Sequence, residues 1–111
     1  AAAAREAAVL AVPRVAGKGC QKAIEALLPM LEDQAVQVRF AAVESLATVA
    51  ESDDQRAIEA LRVRLEDQEC IVHPESGQAI GASVGISAAK VLKKLVTNQE
   101  ELIKIVSGVK F

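Results

Sequence analysis

The residues of this chain best equipped for chemistry sit close together: Cys70 and His73 form a Cys-x-x-His pair, and Ser76 and Ser83 follow within a few positions. A thiolate and an imidazole at that spacing supply part of the tetrahedral ligand set that a zinc ion takes. His73 with Cys70, Ser76 or Ser83 would also make a nucleophile and its base. Both readings lack their remaining parts. His73 is the only histidine, and the one other cysteine, Cys20, lies two helical segments away. No Gly-x-Ser-x-Gly, phosphate loop or paired-carboxylate context accompanies the serines. The expectation is no metal, no catalytic residue, no cofactor and no enzyme. Two cysteines without a framework spacing favour free thiols in a reducing, intracellular compartment, with cytoplasm and organelle interior undistinguished.

The elements that carry these residues are set by a repeat. Shifting the chain by 34 residues lays Ala23-Ile24-Glu25-Ala26-Leu27 on Ala57-Ile58-Glu59-Ala60-Leu61, and Leu31-Glu32-Asp33-Gln34 on Leu65-Glu66-Asp67-Gln68. The same shift backwards lays Arg39, Ala41, Ala42 and Val43 on Arg5, Ala7, Ala8 and Val9. A fixed period of this length signals stacked units, none of which can bury its apolar face alone. Within a unit the apolar residues recur at three- and four-residue steps: Ile24, Leu27, Leu28 and Leu31, then Val38, Ala42, Leu46 and Val49. Each unit therefore reads as two antiparallel helices joined by the short turn Glu32-Asp33-Gln34-Ala35. Ser52-Asp53-Asp54 supplies capping residues for the helix that follows.

The chain divides accordingly into a half repeat at 5–22, a repeat at 23–54, a second repeat at 55–98 and a terminal helix at 99–111, in a single domain spanning 1–111. The half repeat should form a helix over 5–16 with Val9, Val12 and Val15 on its apolar stripe. Pro13 removes a backbone donor there and clashes one turn back, at about 3 kcal/mol, which predicts a kink or a late start. Pro29 is expected to bend the next helix. Ala1–Ala4 ahead of a half repeat suggest that the visible start is not a natural terminus and that the array belongs to a longer chain or assembly.

The 34-residue register fails after Gln68 and returns only at a shift of 46, where Val38 and Leu46 fall on Val84 and Leu92. Twelve extra residues have entered, and the inserted loop runs from about 69 to 83. Its His-Pro, Ser-Gly and Gly-Ala content reads as loop. Glycine and serine point to disorder, whereas Ile71, Val72 and Ile80 would want burial in a docked loop. The position of Arg39 is taken by Gly85 in this register.

Composition narrows the partners. Aromatics are 2% of the chain and the net charge is −2, so neither a base-stacking platform nor a broadly basic footprint for nucleic acid is present. No apolar run is long enough for a membrane span. Two surfaces remain as candidates for binding a protein partner. One is the inserted loop, with Ile71, Val72, His73 and Ile80. The other is the polar stripe of the second helices: Leu10 and Arg14, Glu44 and Thr48, then Lys90 and Lys94 with Lys93 beside them. The lysines could meet an acidic protein segment or make peripheral contact with lipid head groups.

Leu27-Leu28-Pro29-Met30-Leu31, Asp33, Val38-Arg39-Phe40-Ala41-Ala42 and Leu46 resemble the unit of the HEAT-repeat family. The resemblance covers nearly the whole chain. It implies an all-α fold of the armadillo-like type, a short right-handed alpha-alpha superhelix of about two and a half helical hairpins. It also implies that Asp33 and Asp67 pair with Arg5 and Arg39 in a structural ladder between units, and that the second-helix stripe faces the concave side. The function it implies is that of a protein–protein interaction or scaffold module, a structural or accessory subunit of a larger complex. HEAT-like bilin lyases, which handle tetrapyrrole chromophores, are the alternative that the fold resemblance admits.

Overall fold

The computed structural model describes residues 1–108. It contains α1 (Ala2–Val15), α2 (Gln21–Leu27), α3 (Val36–Val49), α4 (Gln55–Arg64), α5 (Val84–Leu95) and α6 (Gln99–Ser107), with β1 (Ile71–Val72) and β2 (Ala79–Ile80) between α4 and α5. The second helices α1, α3 and α5 pack side by side, and the first helices run along their other face. The result is a slab of 42 × 34 × 17 Å, two helix layers deep. Residues 109–111, which the sequence reading placed in the terminal helix, lie outside the described residues.

The repeat accounts for the core. Ile24, Leu27 and Leu31 recur as Ile58, Leu61 and Leu65, and all are buried. Val38, Ala42, Leu46 and Val49 of α3 recur as Val84, Ala88, Leu92 and Leu95 of α5, again buried throughout. The inter-unit turns repeat as well. Gly19 (φ +84°) and Asp53 (φ +62°) both adopt the left-handed conformation, which glycine and aspartate tolerate best. The Gly19 N–H donates to the Val49 carbonyl at 2.6 Å and the Asp53 N–H to the Leu95 carbonyl at 2.8 Å. Each turn thus satisfies a carbonyl left over at the end of the next unit's second helix.

Pro13 and Pro29 have different consequences. α1 neither starts late nor stops at Pro13; it continues to Val15. Pro13 has no N–H for the Val9 carbonyl one turn back, and that carbonyl instead accepts the Ser45 hydroxyl of α3 at 3.1 Å in a buried position. Serine occurs only at this register position of α3; α1 has Ala11 and α5 has Val91 there. At Pro29 the α-helical path is lost, and the chain tightens into a 3₁₀ turn over Leu28–Glu32. Val15 departs from expectation: it is 88% exposed and takes no part in the buried stripe that Val9 anchors.

The inserted segment is neither disordered nor docked. It forms an antiparallel hairpin with Ile71 opposite Ile80 and Val72 opposite Ala79. Val72 and Ile80, expected to seek burial, are each 53% exposed. The pairing satisfies the backbone without requiring the side chains to reach the core.

Candidate functional site

The turn inside each unit is built on an aspartate. The Asp33 carboxylate accepts the Ala35 N–H at 2.9 Å, and the Asp67 carboxylate accepts the Glu69 N–H at 3.1 Å, the same local turn one unit later. The second helix of the preceding unit then reaches across. Arg5 donates to Asp33 through Nε at 2.8 Å and Nη2 at 3.0 Å, and Arg39 donates to Asp67 through Nε at 2.8 Å. Hydrogen bonds from Arg5 and from the Ala35 N–H hold the Asp33 carboxyl down at about 2. Burial works against the charged Arg39, but hydrogen bonds to Asp67 and Glu69 outweigh it and the guanidinium pKa is raised. Arg39 also donates through Nη1 to the Asp33 and Gln34 carbonyls at 2.8 and 3.2 Å.

The hairpin grows from the second of these turns. One foot is Glu69, whose carboxylate accepts from Arg39 Nη2 and whose carbonyl accepts the Val84 N–H at 3.0 Å. The other foot is Gly85, whose N–H donates to the Asp67 carbonyl at 2.8 Å. A Cβ at Gly85 would lie 2.3 Å from the Leu65 carbonyl oxygen, so the close approach admits glycine alone. At the tip the His73 N–H donates to the Gln78 carbonyl at 2.8 Å, and the Gly77 N–H returns to the His73 carbonyl at 2.9 Å. His73 Nδ1 accepts the N–H groups of Glu75 and Ser76 at 3.3 and 3.4 Å, so the ring closes the turn. Cys70 points its Sγ to the Gln68 carbonyl at 3.8 Å. Among the described residues no group of three or more His, Cys, Asp or Glu is placed to hold a metal.

A family model for HEAT repeats matches residues 1–81. The chain belongs to the HEAT-repeat family. Neither the curated proteins nor the solved structures give a match. HEAT repeats generally mediate protein–protein contact or scaffolding. The matched span ends inside the hairpin, yet α5 beyond it repeats the buried pattern of α3. The HEAT register thus survives the insertion.

The stripe residues of this HEAT array, Leu10, Arg14, Glu44, Thr48, Lys90, Lys93 and Lys94, are all exposed. Lys94 is also tied to the fold, since its Nζ donates to the Ala47 carbonyl in the last turn of α3 at 3.1 Å. The ladder residues Arg5, Asp33, Arg39 and Asp67 are brought together as pairs. The hairpin set and the stripe set are not brought into one site. Sequence reasoning missed Glu69 as the second carboxylate on Arg39. It also missed an apolar groove of about 380 Å³ between α5 and α6, lined by Ile86, Ala89, Leu102 and Val106 with Lys90 and Lys93. Aligning the caps Asp54 and Asn98 would have found the groove's α6 wall, because it sets Leu102 on Ile58.

Proposed function

We propose that the chain is a scaffold or protein-interaction module, an accessory subunit of a larger assembly, and that the inserted hairpin is its recognition element. The observation that carries this reading is the contrast between the hairpin's feet and its strands. The feet are fixed by Arg39, Glu69 and Gly85, whereas Val72 and Ile80 stay 53% exposed. Side chains alternate across a hairpin, so Ile80 lies on one face and Val72 on the other. Burying both against a partner would contribute about 1.5 kcal/mol or more for each. A fixed base lowers the ordering cost of binding. The solvated helix stripe, by contrast, offers scattered charges and one lysine already engaged by α3.

The test compares three tagged chains on native extract, with captured proteins read by mass spectrometry. They are the intact chain, the chain with Cys70–Ala82 excised, and the double variant Val72→Ser with Ile80→Ser. Excision is compatible with the fold because the Val84 N–H already meets the Glu69 carbonyl at 3.0 Å. One stoichiometric partner held by the intact chain and lost by both variants is the expected result, with helical circular dichroism unchanged. A partner retained by both variants would move recognition to the stripe, and capture of no partner by the intact chain would remove the scaffold reading.

A further inference from the structure

In the first-helix layer a cleft of about 500 Å³ separates α2 and its 3₁₀ turn from α4. It lies between two successive units, inside the array. Leu28, Pro29, Ala60 and Val63 supply apolar walls, and Val63 is 62% exposed. The same gap recurs one unit later, between α4 and α6, with a different lining. Arg62 stands there in the register of Leu28, and Lys104, counted from the caps Asp54 and Asn98, in that of Ala60. Both line a cavity of only about 210 Å³. Stacking of the units therefore does not require an apolar cleft, since charged side chains line the second gap.

The cleft continues towards the foot of the hairpin. Val63 and Arg64 also line a polar cavity of about 360 Å³, together with Arg39, Glu66, Asp67 and Glu69. The two cavities present five carboxylates against two guanidinium groups. Asp67 and Glu69 are taken by Arg39, and Glu25 by Arg56. Glu32 and Glu66, one in each cavity, have no ion-pair partner among the described residues. The surface is thus complementary to cations. Arg64 belongs to both linings. Its Nη1 lies 3.7 Å from Asp67, but its buried Nε has no hydrogen-bond partner among the described residues. A buried N–H of this kind calls for an acceptor.

We propose that this cleft docks a short extended segment of a partner protein that carries one aliphatic side chain between basic residues. The aliphatic chain enters between Leu28 and Val63, a backbone carbonyl accepts from Arg64 Nε, and the basic residues meet Glu32 and Glu66. The segment is extended because a helix spends its carbonyls on its own N–H groups, whereas an extended chain keeps them free. Burial of the aliphatic chain supplies affinity, and the carboxylates supply orientation and attraction. Added salt weakens that attraction by screening. The cleft goes beyond the hairpin reading: it is a second binding surface, built by α2 and α4 and not by the hairpin strands.

Nuclear magnetic resonance titration of the labelled chain with a blocked Lys-Lys-Leu-Lys-Lys peptide tests the proposal. Two further peptides carry serine for the leucine or glutamate for every lysine. The leucine peptide should shift the amides of Ala60 and Val63 and the Arg64 Nε–H, and bind more weakly as salt rises. The serine peptide should bind about tenfold more weakly or worse, and the glutamate peptide not at all. Val63→Lys keeps the fold, because the position is exposed and lies four residues after Glu59, where lysine is favoured. It should abolish the shifts. Removal of Cys70–Ala82 leaves Glu69 in place and should leave binding unchanged, which separates the cleft from the hairpin. No shift at millimolar leucine peptide, equal binding of the serine peptide, unaltered binding by Val63→Lys, or loss of binding with the hairpin would each overturn it.

Discussion

Arg39 and Gly85 occupy the same register position in successive units, and they do the same work by opposite means. Arg39 reaches back to the turn of its own unit and donates from Nη1 to the Asp33 carbonyl, while its other nitrogens cross to Asp67 and Glu69. Gly85 holds the corresponding carbonyl, that of Asp67, with its own N–H. A side chain spans the tight turn; backbone spans the turn that the hairpin has opened. The difference teaches that what recurs between the two units is the held carbonyl, and that the arginine is one way to hold it.

The largest effect is expected from Arg39→Met. It takes from the largely buried Asp67 its partner at 2.8 Å, leaves Arg64 at 3.7 Å as the nearest remaining cation, and releases the Asp33 carbonyl; breaking a largely buried pair of this kind costs about 3 kcal/mol. Urea unfolding reads the loss, and amide exchange at Glu69 and Val84 should rise at the same time because the hairpin's foot is freed. A loss no larger than that of Arg5→Met would mean that the two rungs of the ladder are equivalent.

Gly85→Arg comes next and sharpens the comparison most. The family pattern would have arginine restore the missing rung. The structure predicts the reverse, because any Cβ meets the Leu65 carbonyl oxygen at 2.3 Å and the two backbones must separate. Overpacking of this sort costs about 1–3 kcal/mol. Gly85→Ala should behave similarly, and a rise in melting temperature for either variant would contradict the close approach.

Ser45→Ala tests the repair of α1. It leaves the Val9 carbonyl buried without a donor, at about 1–2 kcal/mol. In a Pro13→Ala background the restored N–H takes that carbonyl, so the same serine substitution should become nearly neutral. A double-mutant cycle measures the coupling directly, and additive effects would show that the serine and the proline are unrelated.

How much of this was legible follows from how each feature is encoded. The helices and the length of the insertion came from periodicity, because a 34-residue repeat places each apolar residue on a known face, whereas the ladder pairs came from the resemblance to the HEAT-repeat unit. Gly85 was visible as a lost arginine, but its contact with Leu65 was not, since close backbone approach leaves no trace in spacing. The hairpin was misread because Gly77 and Gly81 occur equally in turns and in disorder; pairing between Ile71 and Ile80 is a long-range choice. His73 drew attention as a ligand or a base, and its work is to accept two N–H groups in a turn. The groove between α5 and α6 escaped because apolar spacing marks Ile86, Ala89, Leu102 and Val106 as helix-face residues without showing the space left between the two helices.

The smallest expected effect belongs to Arg5, the exposed rung. Its side chain is 44% exposed, against 7% for Arg39, so solvent screens the pair and Arg5→Ala should lower the melting temperature only slightly at neutral pH. The informative variable is pH. Asp33 titrates at about 2 in the fold against 3.8 for an ordinary aspartate, chiefly because Arg5 donates to it. The unfolded chain therefore takes up the proton first as pH falls. The stabilisation is fully present above 3.8, declines between 3.8 and about 2, and is gone below that. The gap in melting temperature between the intact chain and Arg5→Ala should close across that window. The Asp53 carboxyl, held down by the Thr97 hydroxyl and N–H, titrates low in both chains and cancels in the difference. A gap that persists at the acid end would show that Arg5 acts through packing and not through its charge, which would leave Arg39 as the one electrostatic rung of the array.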